Sequence, residues 1–168
     1  ELLPLLPATL RQRTWSCLFD TAEHGCSIKS LLQRCSGRGP TLFLIRDRQK
    51  HVFGAFAAEA WRPEPEPHFY GNGDSFLFST WPESEGFRAW KWSGGNRMFQ
   101  CISIDFVAFG GGGHFGIWLG RSLSSGSTGP CATYANTALT EHAAAGGLKE
   151  PHRGDSAFDV LDVQVWAF

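Results

Sequence analysis

Short aromatic and β-branched runs separated by glycines are the feature that most constrains the fold of this 168-residue chain. Phenylalanine, tryptophan and tyrosine make up 14% of the residues, and there are 20 glycines. Bulky rings favour strands, while glycines permit the positive φ angles of tight turns. Most connections between the runs are too short for helical crossovers, which favours antiparallel pairing. The pattern predicts a mainly β fold: a two-sheet antiparallel β-sandwich with short flanking helices.

Alternating apolar residues locate the predicted strands. These strands are residues 15–19, 41–45, 52–58, 75–79, 87–92, 98–104, 106–109, 114–119 and 158–168. Ser27 is the expected N-cap of one short helix, because apolar side chains follow it at helical spacing. Residues 122–129 are rich in serine and glycine and are predicted to form a loop. The rings expected in the core are Phe53, Phe56, Phe76, Phe78, Phe115, Trp118 and Trp166.

One domain is predicted over residues 15–168, preceded by a leader or short packing segment over residues 1–14. This opening is apolar, but Pro4 and Pro7 interrupt it, so it is too short for a bilayer span or a secretory signal. Residues 141–156 contain few bulky apolar side chains and are predicted to be a surface insertion. Because the chain starts at Glu1 and contains one methionine, we expect it to be a piece of a longer protein.

The charge and cysteine content exclude several classes of protein. Fifteen basic and sixteen acidic residues give a net charge of -1, which argues against nucleic-acid binding. The five cysteines form no CxxC pair, so the sequence supports neither a disulfide framework nor a zinc knuckle. We therefore expect a reduced, intracellular protein without a metal or cofactor.

Three residues could carry chemistry, and they define an alternative reading as a redox or hydrolytic enzyme. Cys26 precedes the predicted helix, whose N-terminus could lower a thiol pKa, and Cys131 lies in a predicted loop. His114 follows the glycine run 110–113 and could act as a general base, although its nearest acid in sequence is Asp105. The glycine run lacks the P-loop spacing and is predicted to be a tight turn. Cysteines more often fill small apolar spaces, so catalysis is the less favoured interpretation.

Five segments, taken in order, resemble a known family. They are residues 52–56, 68–78, 109–119, 131–136 and 163–168. Together they resemble a TLDc domain, the module of the oxidation-resistance proteins and their nuclear-receptor-coactivator relatives. Residues 50–54 are most similar to the branch that acts at lysosomes in growth signalling. The chain departs from the family where Gly120, Arg121 and Ser122 replace an Asp-rich turn, and where Gln164 replaces a glutamate.

The resemblance implies a two-sheet sandwich, a role in resistance to oxidative stress and binding to peripheral subunits of the vacuolar proton-pumping ATPase (V-ATPase). The resemblance assigns no catalytic residue to this chain. We accordingly expect a non-catalytic interaction module, cytoplasmic and held at the lysosomal or vacuolar membrane surface by its partner, without inserting into the bilayer. A structural module of a larger assembly, for example a ciliary one, is a further alternative.

Exposed loops on a rigid sandwich are the expected contact surface. Three loops are candidates: the proline-rich loop 63–67, the turn 72–74 and the turn 110–114. The predicted binding residues are Pro63, Pro65, Pro67, Asn72, Asp74, Gly112 and His114.

Overall fold

The computed structural model describes residues 1–141 and 155–168. Within these residues the strands are β1 (Ser16–Asp20), β2 (Thr41–Asp47), β3 (Val52–Ala57), β4 (Phe76–Ser79), β5 (Arg88–Lys91), β6 (Gln100–Ile102), β7 (Phe106–Phe109), β8 (Ile117–Gly120), β9 (Ser125–Thr128) and β10 (Ser156–Ala167). The α-helices are α1 (Thr21–His24) and α2 (Ile28–Cys35), and single 3₁₀ turns span Leu3–Leu5 and Glu83–Glu85. The predicted mainly β, antiparallel architecture is confirmed. Among the described residues, neither α-helix has the length and apolar run that a bilayer crossing requires.

The long strand β10 belongs to both sheets of the sandwich. Its residues 156–159 pair with β9, whereas its later residues pair with β2 on one side and β1 on the other. The first sheet therefore has the order β5-β4-β3-β2-β10-β1, and the second has the order β10-β9-β8-β7-β6. The pairing with β2 shifts between Val160 and Asp162, an irregularity that lets one strand bend from one sheet into the other.

The main core lies between the sheets and consists largely of rings on their facing sides. The ring centroids of Phe43 and Phe109 lie 5.3 Å apart. Phe53 lies edge-on to Phe158 at 4.9 Å. Helix α2 closes one side of this core with an apolar face, whose buried side chains are Ile28, Leu31, Leu32 and Cys35. Each buried ring stabilises the fold by about 1.5–3 kcal/mol through removal of apolar surface from water.

A second apolar cluster lies on the outer face of the first sheet, beneath the N-terminal segment. Its buried rings are Phe56, Phe76 and Phe78. These rings alternate with residues that point into the main core, so they do not share one core with Phe53 as the sequence predicted. Leu6 and Leu10 cover them and are themselves buried. Arg11 supports the segment by donating hydrogen bonds of 2.9 Å to two of its carbonyl groups.

Three rings that the sequence placed in the core are only half-buried. Phe115 and Trp118 lie on the outer face of the second sheet, where both contact Phe106. Trp166 packs against the outer cluster of the first sheet. The prediction was wrong for these residues because alternation shows which side chains share a face, but not which face another element covers.

The predicted loop over residues 122–129 is also wrong, since residues 125–128 form the interior strand β9, which lies between β10 and β8. Its sequence Ser-Gly-Ser-Thr lacks the apolar alternation that identified the other strands. Position 126 requires glycine, because a Cβ atom there would clash with both the carbonyl oxygen of Trp118 and the ring of Phe158. Close packing across the sheet therefore selects glycine where sequence statistics favour a turn.

The helix after Ser27 is confirmed, although the Ser27 side chain makes no capping hydrogen bond. The predicted insertion over residues 141–156 falls mostly on residues 142–154, which lie outside the described residues; Ser156 begins β10. The division between residues 1–14 and 15–168 stays a prediction.

Candidate functional surface

Two of the three candidate loops converge on one end of the sandwich, around a loop that the sequence did not nominate. This central loop, residues 92–98, connects β5 to β6. A Cβ atom on Gly73 would lie 2.6 Å from the ring of Trp92, so the turn 72–74 packs directly against the central loop. A Cβ atom on Gly112 would lie 2.5 Å from the side-chain amide nitrogen of Asn96, so the glycine turn also packs against the central loop. We call this end, formed by Gly73, Trp92, Asn96, Met98, Gly111 and Gly112, the loop-end surface.

Trp92 is the most prominent side chain of the loop-end surface. It is 42% exposed, yet its indole Nε1 donates a 2.6 Å hydrogen bond to the carbonyl oxygen of Asn96. Its ring also stands edge-on to Phe99, with 5.6 Å between centroids. An exposed aromatic side chain that is already fixed loses little conformational entropy on binding. Trp92 is therefore suited to fill a pocket on another molecule.

A polar network ties the glycine turn to the central loop. The Nδ2 of Asn96 donates to the carbonyl of Gly111 at 3.2 Å, and its Oδ1 accepts from the backbone of Met98 at 2.9 Å. Thr133 donates to the same Oδ1 at 2.7 Å and accepts a 2.9 Å hydrogen bond from the backbone nitrogen of Gly111. These side chains bind backbone groups that would otherwise need partners on a neighbouring strand. The loops therefore keep a defined shape without forming β-strands.

Met98 continues the apolar part of the surface. It is 38% exposed, and a Cβ atom on Gly111 would contact both its sulfur and the ring of Phe69. From Phe69, half-buried rings run along the outer face of the second sheet, because Phe115 lies 6.1 Å from it and 6.4 Å from Phe106. Half-buried rings therefore extend from the loop end along the outer face of the second sheet.

The proline-rich loop runs along the edge of β6 rather than across the loop end. The backbone nitrogen of Glu64 donates to the carbonyl of Ile102 at 3.2 Å, which covers part of that edge. Pro65 and Pro67 are exposed, whereas Pro63 is half-buried. Phe69, which follows the loop, contacts the loop-end surface at Gly111.

The remaining predicted binding residues have distinct environments. Asn72 accepts a 3.0 Å hydrogen bond from the backbone of Asp74 and so shapes the turn, while the Asp74 side chain is exposed. Gly112 is exposed with a φ of 86°, a conformation that favours glycine. The Nδ1 of His114 lies 2.7 Å from Oδ1 of Asp155, so its acidic neighbour is not Asp105. The sequence could not indicate this pair, because the two residues meet only when β10 packs beside the glycine turn.

The cysteines proposed for the enzyme alternative lie in different environments. Cys26 is exposed, whereas Cys131 is 3% exposed and its thiol donates to Oδ1 of Asn136 at 3.0 Å. Burial raises the pKa of the Cys131 thiol, which disfavours the thiolate that a nucleophile needs. Within residues 1–141 and 155–168, the structure contains no hydrogen bond between His114 and either thiol. The same residues contain no group of three histidine, cysteine or acidic side chains placed to hold a metal ion.

Trp92 and Met98 are the functional candidates that the sequence analysis missed. Alternation assigned both residues to the strands that flank the central loop. The four residues Ser-Gly-Gly-Asn after Trp92 are a strong turn signal, and they indicate that an aromatic residue stands at the very end of a strand.

Comparison with known protein families shows which family the chain belongs to. The family model for the TLDc domain matches residues 1–168. The chain belongs to the TLDc family. This TLDc domain is 36% identical over 156 residues to "Oxidation resistance protein 1" of Bos taurus, covering 92% of the chain and 16% of that protein. It is 34% identical over 170 residues to "Nuclear receptor coactivator 7" of Homo sapiens, covering all of the chain and 16% of that protein. The TLDc domain thus spans about one sixth of each relative's length.

Proposed function

We propose that this TLDc domain is a non-catalytic protein-interaction module that docks on peripheral subunits of the V-ATPase. It then works in the cytoplasm, held at the lysosomal or vacuolar membrane surface by that partner. The observation that carries the proposal is Trp92, which is exposed but fixed where the loops meet. Tryptophan is among the residues that most often dominate binding energy at protein interfaces.

The proposed link to oxidative stress is indirect. One group of relatives bears the name "Oxidation resistance protein 1". Burial raises the pKa of Cys35 to about 12 and also raises that of Cys131, so neither thiol is a good direct scavenger of oxidants. Recruitment of a proton pump supplies another route, in which the domain changes the activity of its partner rather than reacting itself.

Capture from a cell lysate tests the docking. The immobilised chain should retain V-ATPase peripheral subunits, and Trp92→Ala should lower their apparent affinity at least about tenfold, because it removes the fixed aromatic contact. Leu161→Ala is the matched control, since Leu161 is a similarly exposed apolar residue on β10, outside the loop-end surface. The proposal is wrong if the wild-type chain retains no pump subunit, or if both variants bind as the wild type does.

A further inference from the structure

Two exposed cations border the loop-end surface. Lys91 precedes Trp92, and Arg97 lies between Asn96 and Met98; both side chains are exposed. Within residues 1–141 and 155–168, neither cation forms an ion pair. Residues 87–104, which include the central loop, contain no acidic residue. This positive region stands out because the whole chain has a net charge of -1.

The position of Lys91 is defined by its neighbours. Lys91 pairs with Phe76 across the sheet, so it lies at the outer face of the first sheet. There it lines a cavity of about 260 Å³ together with Gly73, Asp74 and Arg11. Gly73 also supports the ring of Trp92, so the ammonium group and the indole border the same turn.

Nearby acids do not cancel this charge. The Glu59 carboxylate, which accepts from Asn72, lies 3.2 Å from the Arg62 guanidinium and is balanced by it. Asp74 is the exposed acid of the adjoining turn, and it has no ion-pair partner in the described part of the chain. With Arg11, which lines the same cavity as Lys91 and Asp74, three cations therefore surround one acid beside two exposed apolar side chains.

We propose that the loop-end surface recognises an acidic segment of a partner protein, in which carboxylates flank one apolar side chain. The apolar side chain packs on Trp92 and Met98, and the carboxylates face Lys91 and Arg97. This inference names the chemistry of the partner and rests on the proposed docking function. Three cations, one of them beside Asp74, are fewer than the clusters of four or more that typically recruit a protein to an anionic membrane. Charges at the rim of such an interface speed association and select the partner.

NMR with two synthetic peptides tests the recognition directly. One peptide alternates leucine with glutamate, and the other carries lysine in place of glutamate. The chain is labelled with ¹⁵N and ¹³C; Trp92→Phe assigns the indole N–H resonance of Trp92, and the methionine methyl resonance belongs to Met98, because the chain has one methionine. The acidic peptide should shift this resonance and the methyl resonance of Met98, whereas the basic peptide should leave both unchanged. Equal shifts with both peptides, shifts confined to other residues, or shifts only with phosphatidylserine vesicles would overturn the inference.

Charge reversal then separates the inference from the docking function. Lys91→Glu combined with Arg97→Glu should weaken binding to the isolated V-ATPase peripheral sector at least about tenfold, and added salt should weaken wild-type binding. The matched control is Lys29→Glu with Arg48→Glu, which makes the same charge change at exposed cations elsewhere and should alter binding by less than about twofold. If the wild type binds but both double variants bind equally, the acidic-segment inference fails and the docking stands. If the wild type does not bind, the docking fails, and the peptide experiment alone decides the inference.

Discussion

Gln164 is a single residue whose amide group suits its two neighbours. Its Nε2 donates a 2.8 Å hydrogen bond to the Asp20 carboxylate, and its Oε1 accepts a 3.1 Å bond from the indole of Trp166. The family resemblance implies glutamate at this position. A glutamate side chain can accept from Trp166, but it cannot donate to Asp20 when ionised. The glutamine therefore satisfies both partners at once.

This argument predicts that Gln164→Glu lowers the free energy of unfolding by about 1–3 kcal/mol at neutral pH, because a second carboxylate then faces Asp20. Urea unfolding monitored by tryptophan fluorescence measures the change. Gln33→Glu serves as the control, since Gln33 is exposed on α2 and should tolerate the substitution within about 0.5 kcal/mol. Equal stability of the two variants would contradict the role assigned to Gln164.

The five cysteines predict a graded thiol reactivity. Cys26 is exposed and should react first with iodoacetamide. Cys17 is also exposed, but partial burial together with Asp20 and Glu23 raises its pKa, so its thiolate is scarcer and it should react more slowly. The buried Cys35, Cys101 and Cys131, whose pKa values are raised by desolvation, should react only after unfolding.

Mass spectrometry of the alkylated, folded chain at neutral pH gives the order of modification. A denatured sample, in which all five thiols should react, provides the control. Rapid modification of Cys131 in the folded chain would contradict its burial and would revive the enzyme alternative.

At the scale of secondary-structure elements, the N-terminal segment acts as a cover for the outer face of the first sheet. Leu6→Ala should therefore destabilise the chain by about 2–5 kcal/mol, since it opens a cavity above buried rings. Leu3→Ala is the control, because Leu3 is 49% exposed in the same segment and should change stability by less than about 0.5 kcal/mol. Thermal unfolding followed by circular dichroism compares the two. If Leu6→Ala unfolds like the wild type, the segment does not stabilise the sheet.

The elements also show where sequence patterns succeed and fail. The runs 41–45 and 52–58 predict β2 and β3 well, because ring and β-branched side chains reflect the burial of both sheet faces. β9 gives no such signal, since Gly126 is selected by the ring of Phe158, a residue distant in the sequence. Local sequence patterns therefore identify strands whose own side chains fill the core. They do not identify strands whose small residues accommodate the large side chains of a neighbouring strand.

At the scale of the whole molecule, the sandwich architecture follows from the sequence, whereas the loop-end surface does not. Two nominated turns do adjoin this surface, because glycine-rich turns after strands collect at sheet ends. Their meeting point at Trp92 depends on the contact with Gly73, which only the folded arrangement creates. The pairing of His114 with Asp155 has the same origin. A surface assembled from several turns can thus be identified only from the three-dimensional structure, even where each turn is predictable from the sequence.

The position of β10 in both sheets has a consequence for synthesis on the ribosome. Translation completes this strand after all the others, so the nascent chain carries two half-finished sheets whose apolar faces are still in water. The strands β1, β2 and β9 lack their β10 partner until this strand leaves the exit tunnel. We expect the nascent chain to be most prone to aggregation during that interval, because apolar surface and strand edges are still exposed.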